Sequence, residues 1–389
     1  MTYDREFFDA GLDRRGTACE KWDDREVCGE ETIPLWVADM DFACAKPIQN
    51  AILERAAHPC YGYTMQEKAD SEALCSFVRR RHQLEIAPEQ TVMMPCVVTG
   101  LRTAVRALTR PCERVAVMTP VYGPFYYSVE ENGRAVERCP LIKRESGRYD
   151  IDFDRVEAAL KSGVKLLLVC TPHNPVSRVF TRTELEKLLD LTRRYDATLV
   201  ADEIHAEFVF KPHTFVSLLS LARNEDRVLC FMSASKTFNI AGLQQAMAIS
   251  RNAQLLDVIA KELCSGGAAC GNVFALAATR AAYTACDDWL DGLLSYLRSN
   301  LTVLEQELPR LLPGARMTPV EATYLAWLDL RAYAPTTEAL MDRCARHGVA
   351  FTGGTFFGAE GDGYVRLNFG CPESQLREGL KRLADAMNE

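Results

Sequence analysis

No apolar run in this sequence approaches the roughly 18 residues that a membrane-crossing helix needs. The nearest, GGAACGNVFALAA over 266–278, is short and interrupted by Asn272, so no membrane partner is expected. C-x-x-C pairs are also missing. The fifteen cysteines are odd in number and scattered, which argues against a disulfide framework or a zinc site and for reduced thiols in a cytoplasm. Basic residues are in the minority, 45 Lys and Arg against 53 Asp and Glu, for a net charge of −8. A nucleic-acid surface needs clustered cations, so nucleic acid is set aside as a partner. The opening MTYDREFFDAGLDRRG carries acids where a secretory leader requires a basic and then an apolar stretch, and no leader is expected. Internal repeats and low-complexity segments are absent as well.

What the chain does have is length and alternation. With 389 residues and 48% hydrophobic content, it can bury a large core, and one large plus one small domain is the natural division. Between about 85 and 250, short apolar runs alternate with amphipathic stretches. The runs are VMMPCVV (92–98), RVAVMT (114–119), VKLLLVC (164–170), ATLVADE (197–203) and RVLCFMSAS (227–235). TRTELEKLLDLTRRYD (181–196) reads as a helix with Thr181 or Thr183 as its N-cap. Buried strands separated by helices imply an α/β fold with a parallel sheet covered on both faces. Ligands in such folds lie at the carboxyl ends of the strands, where PVYGP, TPHNP, DEIH and SASKT all fall. After about 285 the pattern changes to a long helix, an alternating strand TYLAWLDL, a further strand YVRLNFGC and a terminal helix, as in an α+β domain.

Several residues at these strand ends carry chemistry. Lys236 sits between hydroxyls in Ser233-Ala234-Ser235-Lys236-Thr237, a setting that suits a reactive amine beside a phosphate ester or, equally, a solvated serine-rich turn. Asp202 ends an apolar strand; it can keep a ring nitrogen protonated, or cap a helix. His205, three residues on, can reach the same ring or pack in the core. Asn174, between prolines in TPHNP, can donate to a phenolate oxygen or simply belong to a turn. Tyr122 in TPVYGP can stack on a flat ring. Val98-Thr99-Gly100-Leu101 opens a helix after a strand, and free N–H groups there can bind phosphate. Arg366 lies within an apolar strand and needs an anion, either an internal acid or a substrate carboxylate.

Taken in order, PHNP, DEIH, SASKTFNIAGL and YVRLNFGCP resemble the fold-type I pyridoxal 5′-phosphate (PLP) enzymes related to aspartate aminotransferase. IPLWVADMDF (33–42), YGYT (61–64), TPVYGPFY (119–126) and TYLAWLDLR (323–331) narrow the resemblance to the MalY/PatB-type cystathionine β-lyases, from about residue 1 to the C-terminus. The resemblance implies a PLP-dependent transferase fold. Its large domain, with a mostly parallel seven-stranded sheet, would span 46–285, its small domain 286–389, and residues 1–45 would join the small domain. It also implies a lyase that cleaves cystathionine or a related cysteine thioether to a thiol, pyruvate and ammonia. Lys236 would be the Schiff-base lysine and general base and Asp202 the ring-nitrogen partner. Asn174, with His205, would bind the ring hydroxyl, and Tyr122 would stack on the ring and join the catalysis. Ser233, Ser235 and the backbone of Gly100 and Leu101 would hold phosphate, and Arg366 the substrate carboxylate. Tyr63 would reach the phosphate of a neighbouring subunit, which implies a homodimer with shared sites.

Two positions depart from the pattern. Ser177 replaces the usual glycine after PHNPV, so the loop is open to a different shape. Gln244 stands eight residues after Lys236, where aspartate aminotransferases carry a phosphate-binding arginine. The rival readings are a true aminotransferase, which would use the same residues, and a PLP-binding regulator. The regulator would carry an appended DNA-binding segment, and none is expected ahead of MTYDREFF.

Overall fold

Seven short strands make the central sheet: β1 (Thr91–Met94), β2 (Arg114–Thr119), β3 (Ala135–Pro140), β4 (Leu166–Cys170), β5 (Thr198–Asp202), β6 (Val228–Met232) and β7 (Ala246–Ile249). In this computed structural model, which describes residues 2–269 and 271–389, they lie in the order β1-β7-β6-β5-β4-β2-β3. Only β7 runs against its neighbours; the β6-β5-β4-β2-β3 pairings are all parallel. The sheet is therefore mostly parallel, as its apolar runs suggest. Within β4, Leu167 and Val169 enter one hydrophobic cluster while Leu166, Leu168 and Cys170 enter another, so a period of two feeds two cores, one on each face. That is why LLLVC is apolar throughout.

Helix α1 (Val97–Leu108) follows β1 directly. The expected strand VMMPCVV thus stops at Met94, and its last two valines open a helix capped by Cys96. Helix α2 (Arg182–Arg194) starts at Thr181, whose hydroxyl accepts from Glu184 N while the Glu184 carboxylate accepts from Thr181 N at 2.7 Å. That reciprocal box selects Thr181 over Thr183 as the cap. Helix α3 (Ala234–Thr237) is a single turn after β6 and carries Lys236.

Helix α4 (Asp287–Leu311) leads to a second sheet of β8 (Arg316–Met317), β9 (Leu325–Asp329), β10 (Thr352–Gly353) and β11 (Tyr364–Asn368), ordered β8-β9-β11-β10 and antiparallel throughout. Helices α5 (Thr337–Arg346) and α6 (Glu373–Met387) complete this part. Strand β9 is buried along its whole length, not on one face as its alternation suggests. Trp327 stacks on Tyr364 at 5.0 Å and meets Phe357 edge-on, so the face expected to meet water is covered by aromatics. Near the N-terminus, Ile33–Pro34 pairs in parallel with Val349–Ala350. No described helix is long and apolar enough to cross a membrane, and the fourteen described cysteines are all free thiols.

Candidate active site

The parallel strands bring their carboxyl ends to one side. Cys170 and Asp202 are register partners, as are Asp202 and Phe231, so the loops after β4, β5 and β6 leave the sheet at one level. Asn174, Asp202 and Lys236 reach a common cleft from those loops, joined by Tyr122 from the loop after β2. The cleft encloses about 850 Å³ of empty space, part of it open to solvent. His205, Ser235, Leu101 and Gln244 line it too, together with Cys96, Val97 and Ala38.

Lys236 Nζ donates to the Ala38 carbonyl at 2.6 Å. Burial pulls its pKa below the usual lysine value, opposed by the charge of Asp39 and reinforced by that of Arg366. Asp202 is 5% exposed, and burial pushes its carboxyl up to about 6, against the Ile204 N–H (3.0 Å to Oδ1) and the charge of Lys236. His205 is held down to about 3 by burial and by the neighbouring cations Lys236 and Arg366, so its ring is neutral. Its Nδ1 is buried with no partner. Burial also raises the Tyr122 phenol above its ordinary value.

Arg366 comes from the centre of β11, opposite Trp327. Its Nη2 donates to Trp36 O at 2.7 Å and to Thr352 Oγ1 at 3.1 Å, and Nη1 reaches Asn174 Oδ1 at 3.3 Å. The guanidinium lies 4.9 Å from the Phe357 ring centroid, and Nε is buried without a partner. No carboxylate pairs with it among the described residues, which removes the internal-acid alternative. Burial lowers it only to about 10, so it remains a cation at neutral pH.

Three expected phosphate contacts are placed differently. Ser233 does not line the cleft; its hydroxyl donates to Gln245 O at 2.6 Å and accepts from Ser235 N at 3.0 Å, so it fixes the turn that presents Lys236. Gly100 N already donates to Cys96 O at 3.1 Å, because α1 starts at Val97 and Gly100 carries the first N–H of its intrahelical ladder. Leu101, one residue further into the helix, reaches the cleft only as part of its wall. The N–H groups ahead of the intrahelical ladder are those of Val97, Val98 and Thr99, and Thr99 N points to Cys96 Sγ at 3.5 Å. Val97 and Val98 both line the cleft. At Gly100 a Cβ would lie 2.6 Å from Met94 Sδ, so its glycine serves the seating of α1 on β1. Tyr63 is fully exposed and outside the cleft. Ser177 has φ +54°, the conformation a glycine would favour, and its hydroxyl donates to Leu325 O at 2.5 Å. The loop therefore takes a glycine-like path and gains an anchor.

Sequence reasoning missed the strap formed by residues 36–42. Its carbonyls are held by side chains: Trp36 O by Arg366, Val37 O and Asp39 O by Asn368 (2.5 and 2.7 Å), Ala38 O by Lys236 and by Tyr324 OH (2.9 Å), and Met40 O and Phe42 O by Asn239 (2.7 and 2.9 Å). Two asparagines in apolar surroundings, in SASKTFN and YVRLN, were the available signal, since a buried amide must find partners.

A strand-end lysine, a buried acid and an unpaired buried arginine around one cleft define a class of cofactor enzymes, and the chain belongs to the family described as aminotransferase class I and II, whose model matches residues 31–383. Within it the chain falls in the PatB/MalY branch. It is similar to cystathionine beta-lyase PatB of Bacillus subtilis (strain 168), 38% identical over 98% of this chain and 100% of that protein. It is also similar to protein MalY of Escherichia coli (strain K12), at 34% over 98% of each. Among solved structures it is similar to the PLP-bound C-S lyase from Staphylococcus hominis, with a TM-score of 0.90, 30% identity and 98% of each chain covered.

The cleft fits PLP on its own chemistry. Two orphaned buried polar atoms, His205 Nδ1 and Arg366 Nε, belong to residues around it. Asp202 is a buried acid with one hydrogen bond to the protein. Val97 and Val98 supply free N–H groups at a helix start. Beside them Ser235 and Gln244 offer neutral donors.

Proposed function

We propose that the chain is a PLP-dependent carbon–sulfur β-lyase that converts a cysteine thioether such as L-cystathionine, with water, to a thiol, pyruvate and ammonia. The observation that carries this reading is Arg366, a buried cation that has no acid partner and meets, through Asn174 at 3.3 Å, the wall of the cleft that holds the Lys236 amine. The names of the PatB and S. hominis relatives support the lyase over the aminotransferase outcome.

Bound in the cleft, PLP supplies an aldehyde for an amine to join and a ring that accepts the electron pair left when Cα loses its proton. The protein's residues do the rest. Arg366 receives the substrate α-carboxylate and fixes the orientation of Cα. Lys236, its proton affinity lowered by burial, takes the Cα proton as general base. Asp202 would hold a ring nitrogen in its protonated form, and Asn174, with His205, would hold the ring hydroxyl. Tyr122 would pack on the ring. Val97, Val98 and Ser235 would hold the phosphate with neutral donors, since Gln244 stands where an arginine would otherwise be.

The same proposal includes a homodimer in a cytoplasmic setting. The exposed Tyr63, together with Tyr61 and Met65, supports it as a surface that a second subunit would cover. It also includes the division into residues 1–45, 46–285 and 286–389. The pairing of Ile33–Pro34 with Val349–Ala350 supports attaching the first segment to the last.

The test is an assay of purified protein with PLP and L-cystathionine, with and without a keto acid. Thiol and pyruvate released without the keto acid are the expected result. Amino transfer that depends on the keto acid, with no thiol released, overturns the lyase reading in favour of an aminotransferase.

A further inference from the structure

A second open space adjoins the cleft. Trp36 and Thr352, whose carbonyl and hydroxyl hold Arg366, form one border. The other border is Phe356, packed 5.8 Å from Tyr122. The groove thus begins where the carboxylate clamp and the ring-facing aromatic end. It encloses about 1390 Å³, much of it open to solvent, and Val27, Met341 and Phe351 extend its apolar wall. The ionisable side chains lining it are both acids, Glu338 and Asp362. The Asp362 carboxylate is already engaged by the N–H groups of Thr337 (2.8 Å) and Gly363 (3.0 Å). No lysine or arginine lines the groove among the described residues.

We propose that this groove receives the group that leaves with sulfur and selects an uncharged alkyl or aryl substituent over a second amino-acid head. The inference rests on the lyase reading above. A substrate whose carboxylate is on Arg366 and whose amine is near Lys236 has only its sulfur substituent left to extend outward. The distal head of L-cystathionine is a zwitterion: its ammonium would face Glu338, but its carboxylate would find only threonine hydroxyls, apolar side chains and acids, with no cation to replace its lost water. A benzyl or alkyl group instead removes its own surface and that of Trp36, Met341 and Phe356 from water. Met341, on α5 and packed beside Gly353, is a specificity-determining residue in this arrangement.

The experiment measures kcat/KM for three substrates: S-methyl-L-cysteine, whose substituent is too short to fill the groove, S-benzyl-L-cysteine and L-cystathionine. The wild-type chain is expected to favour S-benzyl-L-cysteine over L-cystathionine by about tenfold or more, the scale on which a pocket discriminates. Met341→Lys introduces a cation and is expected to lower that ratio by about tenfold, with S-methyl-L-cysteine cleavage changed by less than about twofold. Equal or better cleavage of L-cystathionine by the wild type overturns the proposal. So does an unmoved ratio in Met341→Lys with S-methyl-L-cysteine cleavage intact. If the variant fails to fold, shown by collapse of S-methyl-L-cysteine cleavage, the wild-type ratio decides alone. Failure to cleave any of the three overturns the lyase reading itself, a different outcome from a reversed preference among cleaved substrates.

Discussion

The Lys236 amine and the Ala38 carbonyl are 2.6 Å apart, although 198 positions separate them in the chain. The same oxygen accepts from Tyr324 OH at 2.9 Å. The partner of Lys236 is thus a neutral backbone oxygen and not a carboxylate, in a setting that already disfavours the ammonium form. A direct carboxylate contact would hold the third proton firmly; a shared carbonyl holds the amine in place and lets the proton go.

Replacing Lys236 with Ala removes both the covalent anchor and the base. Turnover of S-methyl-L-cysteine is expected to fall by about 10³-fold or more, at the upper end of what one general base contributes. Borohydride treatment of the wild type in the presence of PLP should fix the cofactor to the peptide carrying residue 236. Fixation at another lysine removes the assignment.

Asp202 makes a pH prediction with a definite sign. Its carboxyl is raised from 3.8 to about 6 in the folded chain, so the unfolded chain releases this proton first. Between those values the unfolded state binds fewer protons, and stability without cofactor falls as pH rises through the window. Asp202→Asn removes that penalty. The cofactor-free variant should gain about 3 kcal/mol over the wild type above pH ~6 and nothing below pH ~4. Denaturant midpoints across this range measure it. With PLP bound the sign reverses, because the ring nitrogen needs the carboxylate, and the variant should lose activity.

Arg366→Lys keeps a charge but loses the planar fork and the paired hold on Trp36 O and Thr352. KM for S-methyl-L-cysteine is expected to rise by about 10²-fold, equivalent to roughly 2.7 kcal/mol, with a smaller change in kcat. A large fall in kcat at constant KM would show that Arg366 does not bind the carboxylate.

The legible part of the site was the part in which one residue's chemistry is tied to a local strand end. Asp202, Asn174 and Lys236 each follow an apolar run, and a parallel sheet sends all such ends to one side. Arg366 was legible because a cation in an apolar strand demands an explanation. Ser233 and Gly100 were misjudged by one hydrogen bond each: a hydroxyl or N–H reads as free in a sequence, and only the start of α1 and the Gln245 carbonyl show it occupied. The burial of β9 was hidden because Phe357 and Tyr364, which cover Trp327, lie 30 or more positions away. The strap left only an indirect signal, the buried asparagines Asn239 and Asn368 that hold it. It has no period, and its carbonyls are satisfied by side chains from other parts of the chain.

The strap yields the last prediction. Asn239 is three residues after Lys236, and its amide accepts from Met40 N at 2.9 Å and donates to Met40 O and Phe42 O. One side chain therefore ties the lysine's own turn to the segment that provides the lysine's acceptor. Asn239 also holds φ at +59°, a backbone setting that asparagine tolerates better than alanine. Asn239→Ala thus loses three hydrogen bonds and adds strain, together about 2–4 kcal/mol. If the amide were only a general core contact, amide exchange would quicken across the whole protein. If it is the strap's clamp, exchange quickens first over residues 36–42 and kcat falls with it, while the exchange of β4 and β5 in the central sheet stays slow. Uniform acceleration across those strands would remove Asn239 from the positioning of Lys236.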